Sequence, residues 1–191
     1  MRHDSSTPIL RLTRSGQPVE WLHWKGAISL HARGLISWSL GETIKTVVGG
    51  HSHLDSHRTC VPLPPIIACS GRTHTAIFSR VPPLCHRSLY ERDQNLCLYC
   101  GRDFPDQQLT YDHIKPVSRG GQHSWTNVVA ACKRCNQHKG DRLLQECGME
   151  LLALPYRPNW AEYLALINSR RILCDQMDFL GHHFSSRWRA H

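Results

Sequence analysis

Four cysteines in two Cys-x-x-Cys pairs constrain the fold of this chain more than any other feature. Cys97 and Cys100 form "CLYC", and Cys132 and Cys135 form "CKRC". Each pair can present two thiolates to one tetrahedral ion, and four sulfur donors are a set that structural zinc takes. A redox pair usually stands alone near a strand–helix–strand pattern, and that context is missing here. The pairs therefore read as a four-cysteine structural zinc site. The loop it closes is long: a zinc ribbon leaves about 15–20 residues between its pairs, whereas residues 101–131 intervene here.

The 191 residues suffice for one sizeable core or two small domains. The net charge of +8, with histidines neutral, and the pI of about 9.2 suggest a polyanionic partner, of which nucleic acid is the commonest. The start, "MRHDSSTPILRLTRSG", holds no apolar run of signal-peptide length, and no stretch of about 18 apolar residues follows. A cytoplasmic location and no membrane partner are expected. Thiols stay reduced in that compartment, so the nine cysteines are read as metal ligands or buried thiols, not disulfides.

Three stretches are expected. Residues 1–84 form an N-terminal α+β region of unknown role. It has a strand near Val19–Trp21, a helix from Lys25 to Ala32 stopped by Gly34, a strand near Ile44–Val48 and a buried extended segment in "VPLPPIIACSG". "GGHSHLDSH" reads as a polar loop. Residues 85–150 hold the cysteine pairs, and "HRSLYERDQN" reads as a helix leading to Cys97. Residues 151–191 are a linker and a C-terminal helix from Asn159 to about Phe179. Asn159 and Glu162 have capping-box spacing, and Trp160, Leu164 and Ile167 share a face. The tail "SSRWRAH" reads as frayed.

Inside the long loop the order is strand ("LTYDHI"), turn ("PVSRGG"), strand ("NVVAAC"), then a helix from "CNQHKGDRLLQEC". This layout resembles the HNH endonuclease family and its ββα-metal fold, in the branch supported by zinc. The residues carrying the resemblance are Asp112-His113, Asn127 and Asn136, with both cysteine pairs, "RGG", "WTNVVAACKRCN" and "KGDR". It covers roughly residues 84–150, and "PVEWLHWKGAISLHARG" looks like the leader region of bacterial HNH proteins. The expected fold class is α+β: a ββα-metal (HNH) nuclease core stabilised by the four-cysteine zinc site, with the N-terminal α+β region and the C-terminal helix beside it.

Phosphodiester hydrolysis needs an activated water, a cation on the phosphate oxygens and stabilisation of the leaving oxygen. A histidine, with an unperturbed pKa of about 6.5, suits the first task, and His113 is the candidate general base. A hard divalent cation takes oxygen ligands, which Asp112 offers as a carboxylate and Asn136 as an amide. One negative and one neutral ligand bind such an ion weakly until substrate phosphate completes the shell. That favours Mg²⁺ or Mn²⁺, with Zn²⁺ or Ni²⁺ as alternatives. Neighbouring strand residues point to opposite faces, so Asp112 and His113 have separate jobs unless a strand end or bulge intervenes. The resemblance implies that Asn127 holds the histidine's backbone and ring. Asn136 stands where the family name has a histidine. His138, two residues on, faces away from it on a helix, while Lys139 shares its face.

Residues 109–142 hold six lysines and arginines against Asp112 and Asp141. Lys115, Arg119, Lys139 and Arg142 are the candidate DNA-backbone contacts. Tyr99 and Trp125 suit either stacking on a base or packing around the zinc. The expected protein is a metal-dependent endonuclease that cuts DNA, as a monomer or homodimer, in which zinc holds the histidine in place. The resemblance implies 5′-phosphate and 3′-hydroxyl products. The alternatives are a non-catalytic zinc-containing nucleic-acid-binding module and a protein-interaction domain on a degenerate nuclease scaffold.

Overall fold

The computed structural model describes residues 7–51, 58–71 and 81–186. His53 and His57 of the expected polar loop, and residues 187–191 of the expected frayed tail, lie outside them. In chain order the elements are β1 (Ile9–Thr13), β2 (Pro18–Leu22), α1 (Trp24–Ala32), β3 (Ile36–Leu40), β4 (Lys45–His51), β5 (Arg58–Leu63), β6 (Ile66–Cys69), α2 (His86–Arg92), β7 (Leu109–His113), β8 (Val128–Cys132), α3 (Lys133–Lys139), α4 (Leu144–Cys147), α5 (Trp160–Asn168) and α6 (Cys174–Gly181). They fall into two units. Residues Met1–Arg80 and Trp160–His191 form one, and Val81–Asn159 the other.

The first unit is built on a four-stranded sheet, ordered β2-β1-β6-β3, in which β1 and β6 run parallel. Alternation along β1 and β6 sorts its side chains between two faces. Leu10, Leu12, Ile66 and Ala68 pack with Ala161, Leu164 and Ala165 of α5 and with Leu180 and Phe184. Ile9, Ile67 and Cys69 pack with Ala27 of α1 and with Leu63. Strand β6 is thus covered on both faces, which is why "IIAC" is apolar throughout. Trp21 Nε1 donates to Leu164 O (2.8 Å) and Trp160 Nε1 to Val19 O (2.8 Å), fixing α5 on the sheet. Strands β4 and β5 form a separate hairpin.

The helix expected over 159–179 is two helices. At Asn168 the backbone carbonyl accepts from Arg171 N (2.7 Å) and Oδ1 accepts from the Arg171 guanidinium (3.1 Å), which turns the chain. Helix α6 restarts where Gln176 Oε1 accepts from Leu173 N (3.0 Å). Glu162 is buried and accepts from the backbone N–H and hydroxyl of Ser185. Among the described residues, no helix is long and apolar enough to cross a membrane.

In the second unit β7 and β8 pair antiparallel, with Leu109 opposite Cys132 and His113 opposite Val128. Helix α3 follows β8 without a break. Every residue of β8 is buried, and Val128 and Ala130 share a cluster with Leu89 and Tyr90 of α2 and Leu109 of β7. A buried ion pair locks α2 to β8: Arg92 Nε donates to Asp93 Oδ1 (2.7 Å). The same guanidinium donates to Trp125 O (2.6 Å) and Val128 O (2.9 Å), and Asp93 Oδ2 accepts from Ala130 N (2.8 Å). The result is a hairpin with one end at the cysteines and the other at His113.

Candidate active site

Cys97 and Cys100 lie in a tight turn closed by the Leu96–Asp103 bridge. Cys97 N donates to Arg102 O (2.9 Å), and Gly101, at φ +73°, returns its N–H to Cys97 O (2.9 Å). Cys132 ends β8 and caps α3, its sulfur accepting from Cys135 N (3.4 Å). The four sulfurs lie within 4.8 Å of one another, and none is in a disulfide. A tetrahedral zinc with bonds of about 2.3 Å separates its sulfurs by about 3.8 Å. Burial opposes ionisation of Cys97, but backbone N–H groups of Cys132, Cys100 and Tyr99 bring its pKa below the ordinary thiol value. Burial, with Cys132 and Cys97 beside it, pushes Cys135 far up. Four thiols so close ionise together only around a cation. The cluster is compatible with structural zinc.

At the other end of the hairpin, Ile114 N donates to Asn127 O (2.9 Å). The Asn127 side chain clamps the loop that follows His113. Its Oδ1 accepts from Lys115 N (2.9 Å), and its Nδ2 donates to Lys115 O (3.1 Å) and Gln122 O (2.9 Å). Within the loop, Pro116 O accepts from Arg119 N and Gly121 N, both at 3.0 Å. A Cβ on Gly121 would lie 1.8 Å from Lys115 O, so this position admits only glycine, and Gly120 takes a left-handed φ of +80°. The steric demand explains "RGG".

His113 is half-buried, with its Nε2 3.1 Å from Nδ1 of the exposed His123. The two rings are 5.3 Å apart and tilted by 53°. His123 leans on Tyr111 (5.6 Å), which stacks on His86 (4.1 Å, 12°). Burial lowers the His113 pKa from its ordinary value, and His123 lowers it further, against an opposing pull from Asp112. The imidazole is therefore neutral at neutral pH. Burial pushes Tyr111 up to about 12.

Asp112, as alternation requires, points to the other face of the strand. It is 4% exposed and shares its carboxylate between two donors. Lys139 Nζ donates to Oδ1 (3.1 Å) and to His113 O (2.8 Å), and Tyr99 Oη donates to Oδ2. Burial and that hydrogen bond hold the Tyr99 phenol well above its usual range. Asn136, on the same helix as Lys139, donates through Nδ2 to Thr110 Oγ1 (2.9 Å) and Tyr111 O (3.0 Å). That assignment leaves Oδ1 as the amide's remaining acceptor. Asp112 and Asn136 thus both meet strand β7 and fit a hard cation in donor type. The positive charge against Asp112 is the Lys139 ammonium.

Lys139, expected to reach a phosphate, is instead fully buried. Its side chain runs inward because α3 lies against β7, where Asp112 and the His113 carbonyl wait for a donor. Arg119 is exposed and paired with Glu146 (2.6 Å). Arg142 folds back on the end of α3, donating to His138 O and Lys139 O. Lys115 is exposed beside the clamped loop. Trp125 is buried, with Nε1 on Pro82 O (2.8 Å) and its ring beside the Arg92 guanidinium. It is a packing residue.

Two residues beside the site carry no sequence signal for their place there. The sequence suggests only stacking or packing for Tyr99, yet its hydroxyl donates to Asp112. His123 had no spacing signal beyond lying in the same loop as Asn127.

Residues 97–152 match the family model described as HNH endonuclease. Over 52 residues, 27% of this chain, the sequence is 38% identical to the CRISPR-associated endonuclease Cas9 of Corynebacterium diphtheriae (strain ATCC 700971 / NCTC 13129 / Biotype gravis). The chain spans only 5% of that protein's length. A crystal structure of the Type II-C Cas9 enzyme from Actinomyces naeslundii aligns with 55% of this chain and 13% of its own, at 20% identity and a TM-score of 0.25.

Proposed function

We propose that the HNH endonuclease domain carried by residues 97–152 makes this chain a metal-dependent nuclease that hydrolyses DNA phosphodiester bonds. The similar Cas9 is by its name an endonuclease, which suits a basic chain with exposed Lys115 and Arg119 beside the site. In this reading the β7–β8–α3 unit is a ββα-metal core.

His113 is the general base, taking a proton from the attacking water at an imidazole nitrogen. Asn127 holds the loop behind it and touches no substrate. A divalent cation, Mg²⁺ or Mn²⁺ by donor type with Zn²⁺ or Ni²⁺ as alternatives, would be held by Asp112 and Asn136 and would neutralise charge on the phosphate and leaving oxygens. Cys97, Cys100, Cys132 and Cys135 hold the structural zinc. Lys115, Arg119 and Arg142 are the proposed contacts to backbone phosphates; Lys139 serves Asp112 instead. The observation that carries the reading is the conjunction at the hairpin's end: a half-buried imidazole kept neutral, on a strand end fixed by the Asn127 clamp. One site cuts one strand, so a double-strand break takes two chains or two visits.

The rival reading, a zinc-containing nucleic-acid-binding module without catalysis, draws on one observation: Lys139 and Tyr99 already engage Asp112. Incubating supercoiled plasmid with the zinc-loaded chain separates the two. Nicking is expected with Mg²⁺ or Mn²⁺, with loss in EDTA and a higher metal requirement for Asp112→Asn and Asn136→Ala. Salt-sensitive DNA binding with no cleavage in any metal would select the rival.

A further inference from the structure

We infer that His123 is a positioning residue for His113: its Nδ1 accepts the Nε2–H of His113 and thereby leaves the Nδ1 lone pair of His113 as the base. The inference rests on the reading of His113 as general base and extends it to the tautomer and the atom.

The geometry is specific. The His113 Nε2 to His123 Nδ1 separation of 3.1 Å is a hydrogen-bond distance, so one ring donates and the other accepts. Only two neutral arrangements exist. If His123 donated from Nδ1, the lone pair of His113 Nε2 would be consumed and its Nδ1 would carry the proton. Both rings would then be in the Nδ1–H form, the less favoured tautomer of a free neutral histidine side chain, and His113 would have no lone pair for water. If His113 donates from Nε2, both rings take the favoured Nε2–H form and His113 Nδ1 is free.

The partner ring is itself held. His123 leans on Tyr111, and Tyr111 stacks on His86 of α2, so a row of rings runs from the helix to the base. His123 sits in the loop that Asn127 clamps through Gln122 O (2.9 Å), which fixes its backbone one residue away. A group that fixes tautomer and ring direction acts on the rate and not on substrate affinity.

The test uses the full zinc-loaded chain labelled with ¹⁵N-histidine, at mildly alkaline pH. His113 signals are identified by their loss in His113→Gln. His123→Asn keeps an acceptor near the Nδ1 position, and His123→Leu has a similar shape without one. In the wild type and His123→Asn, His113 is expected as a single Nε2–H tautomer. In His123→Leu it becomes a mixture. In plasmid nicking, His123→Leu loses kcat by roughly 10- to 100-fold at unchanged KM, and His123→Asn recovers most of the loss. An Nδ1–H tautomer for His113 in the wild type, or the same tautomer and rate in all three proteins, overturns the inference. Full nicking by His113→Ala would instead sink the general-base reading, and the ring spectra would still decide whether His123 sets the tautomer.

Discussion

At the residue scale, Lys139 shows best what a sequence conceals. In the sequence it is one of six cations in a basic stretch, and a solvated or phosphate-facing role is the natural reading. In the fold it is fully buried, tied to Asp112 and to the His113 carbonyl. Its spacing of three from Asn136 already put it on the face that meets β7; nothing in the sequence said that Asp112 would be waiting there. Removing one partner of a buried pair leaves an uncompensated charge. Lys139→Met is therefore expected to destabilise the second unit by about 3–5 kcal/mol in urea unfolding. Lys139→Met with Asp112→Leu should recover most of that loss, because both charges are gone. An unchanged stability with weakened DNA binding would return Lys139 to the phosphate-contact class. Asn127 and Asn136 were easier to find, since the resemblance to the HNH family marks both, although their hydrogen-bond partners were not legible.

At the scale of elements, the hairpin of β7 and β8 is pinned twice. Four residue steps along β8 separate Cys132 from Val128, about 13 Å of strand. The cysteine cluster fixes one end and the Asn127 clamp the other. These elements were readable because each obeys a simple period: "LTYDH" alternates, "VVAAC" is apolar throughout, and a helix follows at the second cysteine pair. Strands β1 and β3 were not, because charged and polar residues punctuate "ILRLT" and "ISWSL" and the pairing that selects them is long-range. The split between α5 and α6 escaped because the apolar spacing runs past Asn168. Metal binding is folding free energy for a site of this kind. Chelation of zinc should therefore strip amide-exchange protection from residues 109–113 and 128–132 while residues 9–13 and 66–69 keep theirs. Equal protection in both forms would show that the Arg92–Asp93 network alone holds the hairpin.

At the scale of the whole molecule, two units divide the chain, and the family match lies within one of them. The other has a core built on both faces of its sheet, with no cluster of three or more metal-binding side chains among its described residues. In the proposed function the chemistry rests on the hairpin's end and turns on His113. The most direct measurement is the nicking rate of supercoiled plasmid by the wild type and by His113→Ala, in Mg²⁺ and Mn²⁺, with one zinc per chain verified in both proteins. A fall of roughly 100-fold or more in the variant, with DNA binding retained, is the expected result for removal of a general base. Equal nicking by the two proteins would contradict it and take His113 out of the chemistry.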